Sequence, residues 1–232
     1  MLSQFTPGSY RSLVAPGRPF SFGIVTDQGF DLVHAVFRRP VPLHQGLEAA
    51  ARHVRAAGRP VTAIGAFELR IPEPLGREEF DAFNAPYAER MAAMGLTSAS
   101  ELVAARTNVA PTTPGIEEPS LHAFTYTVPD RGRTAPAFRL SGATETRHDA
   151  SGADKLRSIV EVLGGRLAEL GVSWDDATAV SVYGEASGVL WDVRESFHGA
   201  SLRGLTWFPS LPPLIDFEFE IDAAGVGTEI TL

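Results

Sequence analysis

Apolar and polar positions along this chain recur with two periods, and the order in which the periods alternate predicts a mixed fold. Residues 20–38 read as a strand pair, Phe20 to Thr26 and Phe30 to Arg38, joined across Asp27-Gln28-Gly29. Leu47, Ala50, Ala51 and Val54 follow at helical spacing, with Gly58 as the stop. Val61 to Leu69 reads as a strand, broken by Pro72 and Pro74. Phe80, Phe83, Tyr87, Met91 and Met94 make one apolar stripe, the signature of a helix with a buried face.

The second half repeats this grammar. Phe138 to Ala143 reads as a strand, and Leu156, Ile159, Val160, Leu163, Leu167 and Leu170 form a helical stripe closed by Gly171. Thr178 to Tyr183 is a strand, Val189 to Phe197 a short helix, and Leu202 to Phe208 and Ile215 to Ile221 two more strands. The repeat also shows in residues. Ala57-Gly58 before Thr62 to Phe67 matches Leu170-Gly171 before Thr178 to Tyr183, and Ala105-Arg106-Thr107-Asn108 matches Leu202-Arg203-Gly204-Leu205. A last strand closes each half, Leu121 to Val128 in the first. The expected architecture is α+β, two similar domains in tandem over residues 1–128 and 129–232, with the Pro129 to Pro136 stretch at their junction.

Composition narrows the chemistry. With no cysteine among 232 residues, disulfides, thiolate zinc sites and cysteine nucleophiles are excluded. Lys155 is the one lysine, so a Schiff-base enzyme would have to use it, and its polar surroundings argue against that. Arginine cannot act as a base near neutral pH, which leaves proton transfer to carboxylates, His or Tyr. The net charge of −8 speaks against nucleic acid as a partner. No run approaches the ~20 apolar residues of a membrane span, and Met1 to Ser12 lacks the pattern of a secretory signal, so a cytoplasmic protein is expected. The six histidines show no ligand spacing, and no phosphate loop or nucleophile elbow is present, so neither metal nor cofactor is expected.

The richest segment is Leu202 to Trp207, followed by Leu211-Pro212 and Phe217-Glu218-Phe219-Glu220-Ile221. Arg203 can hold a carboxylate through two parallel hydrogen bonds. Glu218 can move a proton or steer a water. Glu220 shares a strand face with Glu218 and is the alternative acid or base; crowding of the two in a poorly solvated place would raise one pKa. Arg106 is a second candidate anion clamp, and His122 is the one histidine inside a core-like strand. Each has a plain structural alternative: an interface ion pair for the arginines, a solvated face for the glutamates, a hydrogen-bonded core residue for His122.

The second half resembles the RidA family (also called YjgF or L-PSP) at Phe138-Arg139-Leu140-Ser141-Gly142, Leu170-Gly171, Ala179 to Tyr183, Leu202-Arg203-Gly204, Leu211-Pro212 and Phe217 to Glu220. The first half is similar to the same family at Glu79 to Tyr87 and Ala105-Arg106-Thr107. The resemblance implies chorismate-mutase-like domains, trimers with clefts between neighbouring domains, and cofactor-free hydrolysis of enamine or imine acids to 2-oxo acids and ammonia. It assigns Arg203 to the substrate carboxylate, Glu218 to the attacking water, and Ser141, next to Gly142, to a place beside the bound acid. The halves diverge from the family and from each other. Where the family often carries a cysteine two positions after its arginine, this chain has Leu205 and Asn108; His122 falls near the place of the glutamate in the first half; Asn84 has no counterpart in the second. A composite site is therefore expected, with Arg203 and Glu218 from one half and Asn84 from a neighbour. Trp207 and Trp191 add bulk suited to a larger or cyclic acid. The expected activity is imine/enamine deamination of a carboxylic acid. The alternatives are a chorismatase-like release of pyruvate from chorismate and a non-catalytic ligand-binding module.

Overall fold

Apolar alternation and helix stops place most elements where the pattern predicts them. The computed structural model describes all residues of 1–232 except Arg131, Arg133, Thr134 and Ala186. The chain begins with β1 (Leu2–Phe5), β2 (Tyr10–Leu13), β3 (Gly23–Thr26) and β4 (Phe30–Pro42), then α1 (Leu43–Ala56), β5 (Ile64–Arg70) and α2 (Arg77–Ala93). The short β6 (Thr97–Ser98) and β7 (Glu101–Leu102) lead to β8 (Ala105–Pro111) and β9 (Ser120–Pro129). The second half runs β10 (Phe138–Leu140), β11 (Ala143–Thr144), α3 (Gly152–Leu170), β12 (Ala179–Tyr183), two 3-10 turns (Ser187–Asp192 and Arg194–Phe197) and α4 (Ala200–Arg203). It closes with β13 (Thr206–Phe208), β14 (Ser210–Leu211), β15 (Glu220–Gly225) and β16 (Thr228–Thr231). The class is α+β, as the patterning predicts.

Helix α3 shows how local sequence sets an element's limits. The Ser151 hydroxyl accepts from the Asp154 amide at its start. At its end Gly171 adopts a left-handed φ of 76°, and Gly171 and Val172 donate back to Ala168 and Leu167. Between these caps Leu156, Ile159, Leu163, Leu167 and Leu170 are all buried in one core with Phe138, Val182 and Ile221. The first-half core gathers Leu47 and Val54 of α1, Tyr87 and Met91 of α2, and Ile64, Phe67 and Phe124 of the sheet beneath them.

Two sheets result. One has the order β1-β2-β3-β10-β15-β12-β13, with β11 also on β15; the other has the order β14-β8-β5-β9-β4-β16. Within them β13-β12-β15-β10 and β8-β5-β9-β4 follow the same order, and in both the first pair is parallel. The repeat seen in the residues therefore extends to strand order. The halves nevertheless interleave across the expected 128/129 boundary. β1 to β3 join the sheet of the second half, while β14 and β16 join that of the first. The junction stretch falls partly outside the described residues.

Several local readings change: β3 and β4, expected as a strand pair, lie in different sheets, and the helix expected over Val189 to Phe197 is two 3-10 turns. Residues 202–208 were expected as one strand, but Arg203 ends α4, and Gly204, at φ 94°, turns the chain before β13 begins. The final strand starts at Glu220 rather than Ile215, because the loop before it is held by Glu145, whose carboxylate accepts from the amides of Glu218 and Phe219 at 2.7 and 3.1 Å. No helix among the described residues is long and apolar enough to cross a membrane.

Candidate active site

Strand β8 is buried along nearly its whole length, yet it carries Arg106 and Asn108. Alternation along a strand sends these two to one face. They line a cavity of about 490 Å³ at the seam between the two halves. Its walls also include Glu220 from β15, Gly142 to Thr146 around β11, Arg166 and Val162 from α3, Phe80 from α2, and Phe20 and Phe22 from the segment before β3. Exposed Arg18 and Arg77 stand at its rim. Thr107, between the two inward residues, donates to Asp222 at 2.8 Å and ties β8 to β15. The site thus takes residues from both halves of one chain.

Arg106 is held rigidly. Its guanidinium lies 4.7 Å from the Tyr87 ring centroid, 4.9 Å from Phe20 and 5.8 Å from Phe80, and donates to Asn84 Oδ1 at 2.9 Å. The apolar stripe of α2 therefore serves the core through Met91 and the cavity through Phe80 and Tyr87. Burial lowers the Arg106 pKa, but a guanidinium stays charged at neutral pH. It has no ion-pair partner among the described residues, so its charge is directed at whatever fills the cavity. Arg166 adds a second cation. Burial brings it down to about 10, with Glu220 pulling the other way; it stacks 4.4 Å from the Phe22 ring and donates to the Ser141 carbonyl at 3.3 Å.

Two carboxyl groups line the cavity: Glu145, which is committed to the amides of Glu218 and Phe219, and Glu220. Burial, then the neighbouring Asp222, push the Glu220 carboxyl up to about 8, against the opposing pull of the Asn108 backbone amide and Arg106. It is protonated at neutral pH. Gly142 makes room for it: a Cβ at this position would overlap the Glu220 carboxyl. Ser141 lies beneath this wall, fully buried, accepting from the Arg106 amide at 2.8 Å and donating to the Ser21 carbonyl. It positions the backbone of Arg106 rather than facing the cavity.

The remaining residues singled out from sequence lie elsewhere. Glu218 is exposed and accepts from Lys155 Nζ at 2.7 Å, so alternation does not bring it to Glu220's surroundings: the loop held by Glu145 precedes the strand. The same ion pair occupies Lys155. Arg203 is exposed at the end of α4 and donates to the Ala177 carbonyl at 3.2 Å. Trp207 packs edge-on to Phe219, with centroids 6.3 Å apart, outside the cavity. His122 faces a separate group of buried charges; burial, then Arg70, lower its pKa to about 4, which leaves it neutral. Of the sequence candidates, the structure brings together Arg106, Asn84, Gly142 and Glu220, with Ser141 behind them. Arg166 and Asn108 were missed as site residues. Asn108 carried a signal, standing two positions from Arg106 and hence on its face.

Known proteins place this geometry in a class. Residues 2–230 match the family model described as "2-aminomuconate deaminase CnbZ". The 2-amino-5-chloromuconate deaminase of Comamonas testosteroni is 32% identical over 246 aligned positions, covering 98% of this chain and 98% of that protein. The chain is thus a member of a deaminase family. Specifically, it belongs to the 2-aminomuconate deaminase CnbZ family. Among solved structures, Rv2704 of Mycobacterium tuberculosis, a YjgF/YER057c/UK114 family member, is 20% identical with a TM-score of 0.34, covering 41% of this chain and 82% of that one. A chorismatase is 13% identical with a TM-score of 0.49, covering 89% of this chain and 77% of the other.

Proposed function

We propose that this protein hydrolyses the enamine of a 2-aminomuconate-type acid, a conjugated six-carbon dicarboxylate bearing an amino group on C2, to the 2-oxo acid and ammonia. The observation that carries the reading is a carboxyl group held protonated at neutral pH, Glu220, in one cavity with a buried and a half-buried guanidinium, Arg106 and Arg166, that form no ion pair among the described residues. A dicarboxylate supplies the two missing negative charges. Arg106 takes one carboxylate, with its rings fixing the guanidinium plane. Arg166, with Arg18 at the rim, takes the other. The cavity volume lies within the range usual for small-molecule sites.

The chemistry follows from the state of Glu220. The neutral acid donates its proton to the dienamine carbon chain, and the nitrogen lone pair forms the C2=N bond of an iminium. Water then adds to C2 while the Glu220 carboxylate takes the proton it releases. That proton passes to the amino group, the C2–N bond breaks as C2=O forms, the hydroxyl proton returns to Glu220, and ammonia leaves. One water is consumed and Glu220 ends as it began. Burial is what makes it an acid first: an ordinary solvated glutamate would already be ionised.

The test is ammonia release from 2-aminomuconate generated in situ, compared between wild type and Glu220→Gln. The expected loss is about 10²–10⁴-fold in kcat with the fold retained. The wild-type rate should fall as pH rises through the pKa of Glu220, about 8 in the free protein, where the acid is lost. A Glu220→Gln variant with undiminished turnover would remove the assignment.

A further inference from the structure

A buried amide with nothing to bond to calls for an explanation. Asn108 is 3% exposed, and neither Nδ2 nor Oδ1 of its side chain has a partner among the described residues. It lines the cavity, on the face of β8 shared with Arg106, two residues away. Its own backbone amide acts on the Glu220 carboxyl, pulling its pKa down. Guanidinium, carboxamide and carboxyl therefore converge on one wall. The other buried amide of the region, Asn84, is engaged by Arg106. Among the described residues that line the cavity, Asn108 is thus the buried side chain left open.

We infer that Asn108 is the residue that reads the nitrogen on C2 and so sets the direction in which the substrate lies. This rests on the reading of the cavity given above. Oδ1 accepts from the substrate amino group, which is a donor in the enamine and in the iminium alike. Nδ2 donates to the adjacent carboxylate, the one held by Arg106. The C1 carboxylate, C2 and its nitrogen then match Arg106 and Asn108 as a unit, and C2 faces Glu220. The distal carboxylate extends toward Arg166. A substrate turned end for end would keep a carboxylate on Arg106 and Nδ2 but place a C–H group against Oδ1, leaving that buried acceptor unpaired, which disfavours the orientation. Asn108 is a specificity and positioning residue, and it takes no part in proton transfer.

The test separates recognition of nitrogen from recognition of carboxylates. The probe for the latter is cis,cis-muconate, which has two carboxylates and no nitrogen, measured by calorimetry and as a competitive inhibitor. In Asn108→Leu both ligands lose the Nδ2 bond to the carboxylate but only 2-aminomuconate loses the Oδ1 bond, so its KM should rise about tenfold more than muconate affinity falls. Asn108→Ala serves as the second variant, and thermal melting of both checks that the fold is kept. Equal weakening toward both compounds, or no change toward either, would overturn the inference while leaving the deaminase reading intact. A wild-type protein that neither releases ammonia from 2-aminomuconate nor binds muconate would sink the deaminase reading, and this inference with it.

Discussion

Two groups of buried charge lie side by side in this molecule, and they are handled in opposite ways. In the first, Arg139 bridges Glu68 at 3.0 Å and Asp222 at 2.9 Å, Asp222 also accepts from Thr107 and Tyr183, and Glu68 meets His34 at 2.7 Å. His34 in turn reaches Glu229 at 2.9 Å. Every guanidinium and carboxylate there is answered by an opposite charge. In the second, the cavity, Arg106 and Arg166 form no ion pair among the described residues, the Asn108 side chain has no partner among them, and Glu220 is kept neutral. The two groups are built from the same strands. Thr107 and Asp222 serve the first, while their near neighbours Arg106, Asn108 and Glu220 serve the second. Burial alone does not mark an active site; burial without a matched counter-charge does, because the deficit is what a ligand fills.

The sharpest way to break this contrast is to remove one cation from each group. Arg139→Met should destabilise the fold by about 3–5 kcal/mol, since it strands Glu68 and Asp222 in the interior. Arg106→Met should leave the melting temperature within a few degrees of wild type or raise it, because it removes a buried charge with no partner, and it should abolish turnover. Chemical denaturation and ammonia release on both variants would measure this. Equal destabilisation by the two substitutions would show that the cavity charges are structural as well.

A subtler change acts on Glu220 without touching its chemistry. In Gly142→Ala the new methyl group occupies space now taken by the Glu220 carboxyl. The side chain must move by an ångström or more, which at a reacting group costs on the order of 100-fold in rate. Muconate affinity should change little, since Arg106 and Arg166 stay in place. A kcat that survives this substitution would place the proton donor elsewhere.

How much of this was legible in the sequence differs between the two groups in an instructive way. The helices were readable because their stripes and glycine stops are local: Gly58 and Gly171 both take the left-handed φ that the chain reading needed. Arg106, Glu220, Asn84 and Gly142 could be singled out, but so could Arg203 and Glu218. Nothing local distinguishes the glutamates, which sit on one face of an idealised strand. The difference is made by Glu145, more than seventy residues away, whose carboxylate holds the loop before β15 and leaves Glu218 outside beside Lys155. Likewise Arg203 matched Arg106 in local wording, but Gly204 ends a helical turn where β8 runs straight. The interleaving of β1 to β3 and β14 with the opposite halves is a long-range pairing that no local pattern encodes, and it is this exchange that closes the cavity between the halves.

The smallest effect tests the matched group by titration. His34 has a carboxylate on each ring nitrogen, Glu68 and Glu229. Burial opposes its protonation, but Glu68 by charge and hydrogen bond, with help from Glu229, outweighs this and raises its pKa above 6.5. A histidine whose folded pKa exceeds its unfolded one contributes stability that is fully present below the unfolded value and is lost as pH rises through the folded value. Denaturant midpoints should therefore decline as pH rises from about 6 past the folded pKa of His34, and this part of the decline should vanish in His34→Gln. Glu220, also raised, loses stability in an overlapping range, as pH climbs from the ordinary carboxylate range to about 8, so the measurement is best made in a Glu220→Gln background. If the decline persists there with His34 replaced, the matched cluster does not depend on an imidazolium, and its charge balance rests on Arg139 and Arg70 instead.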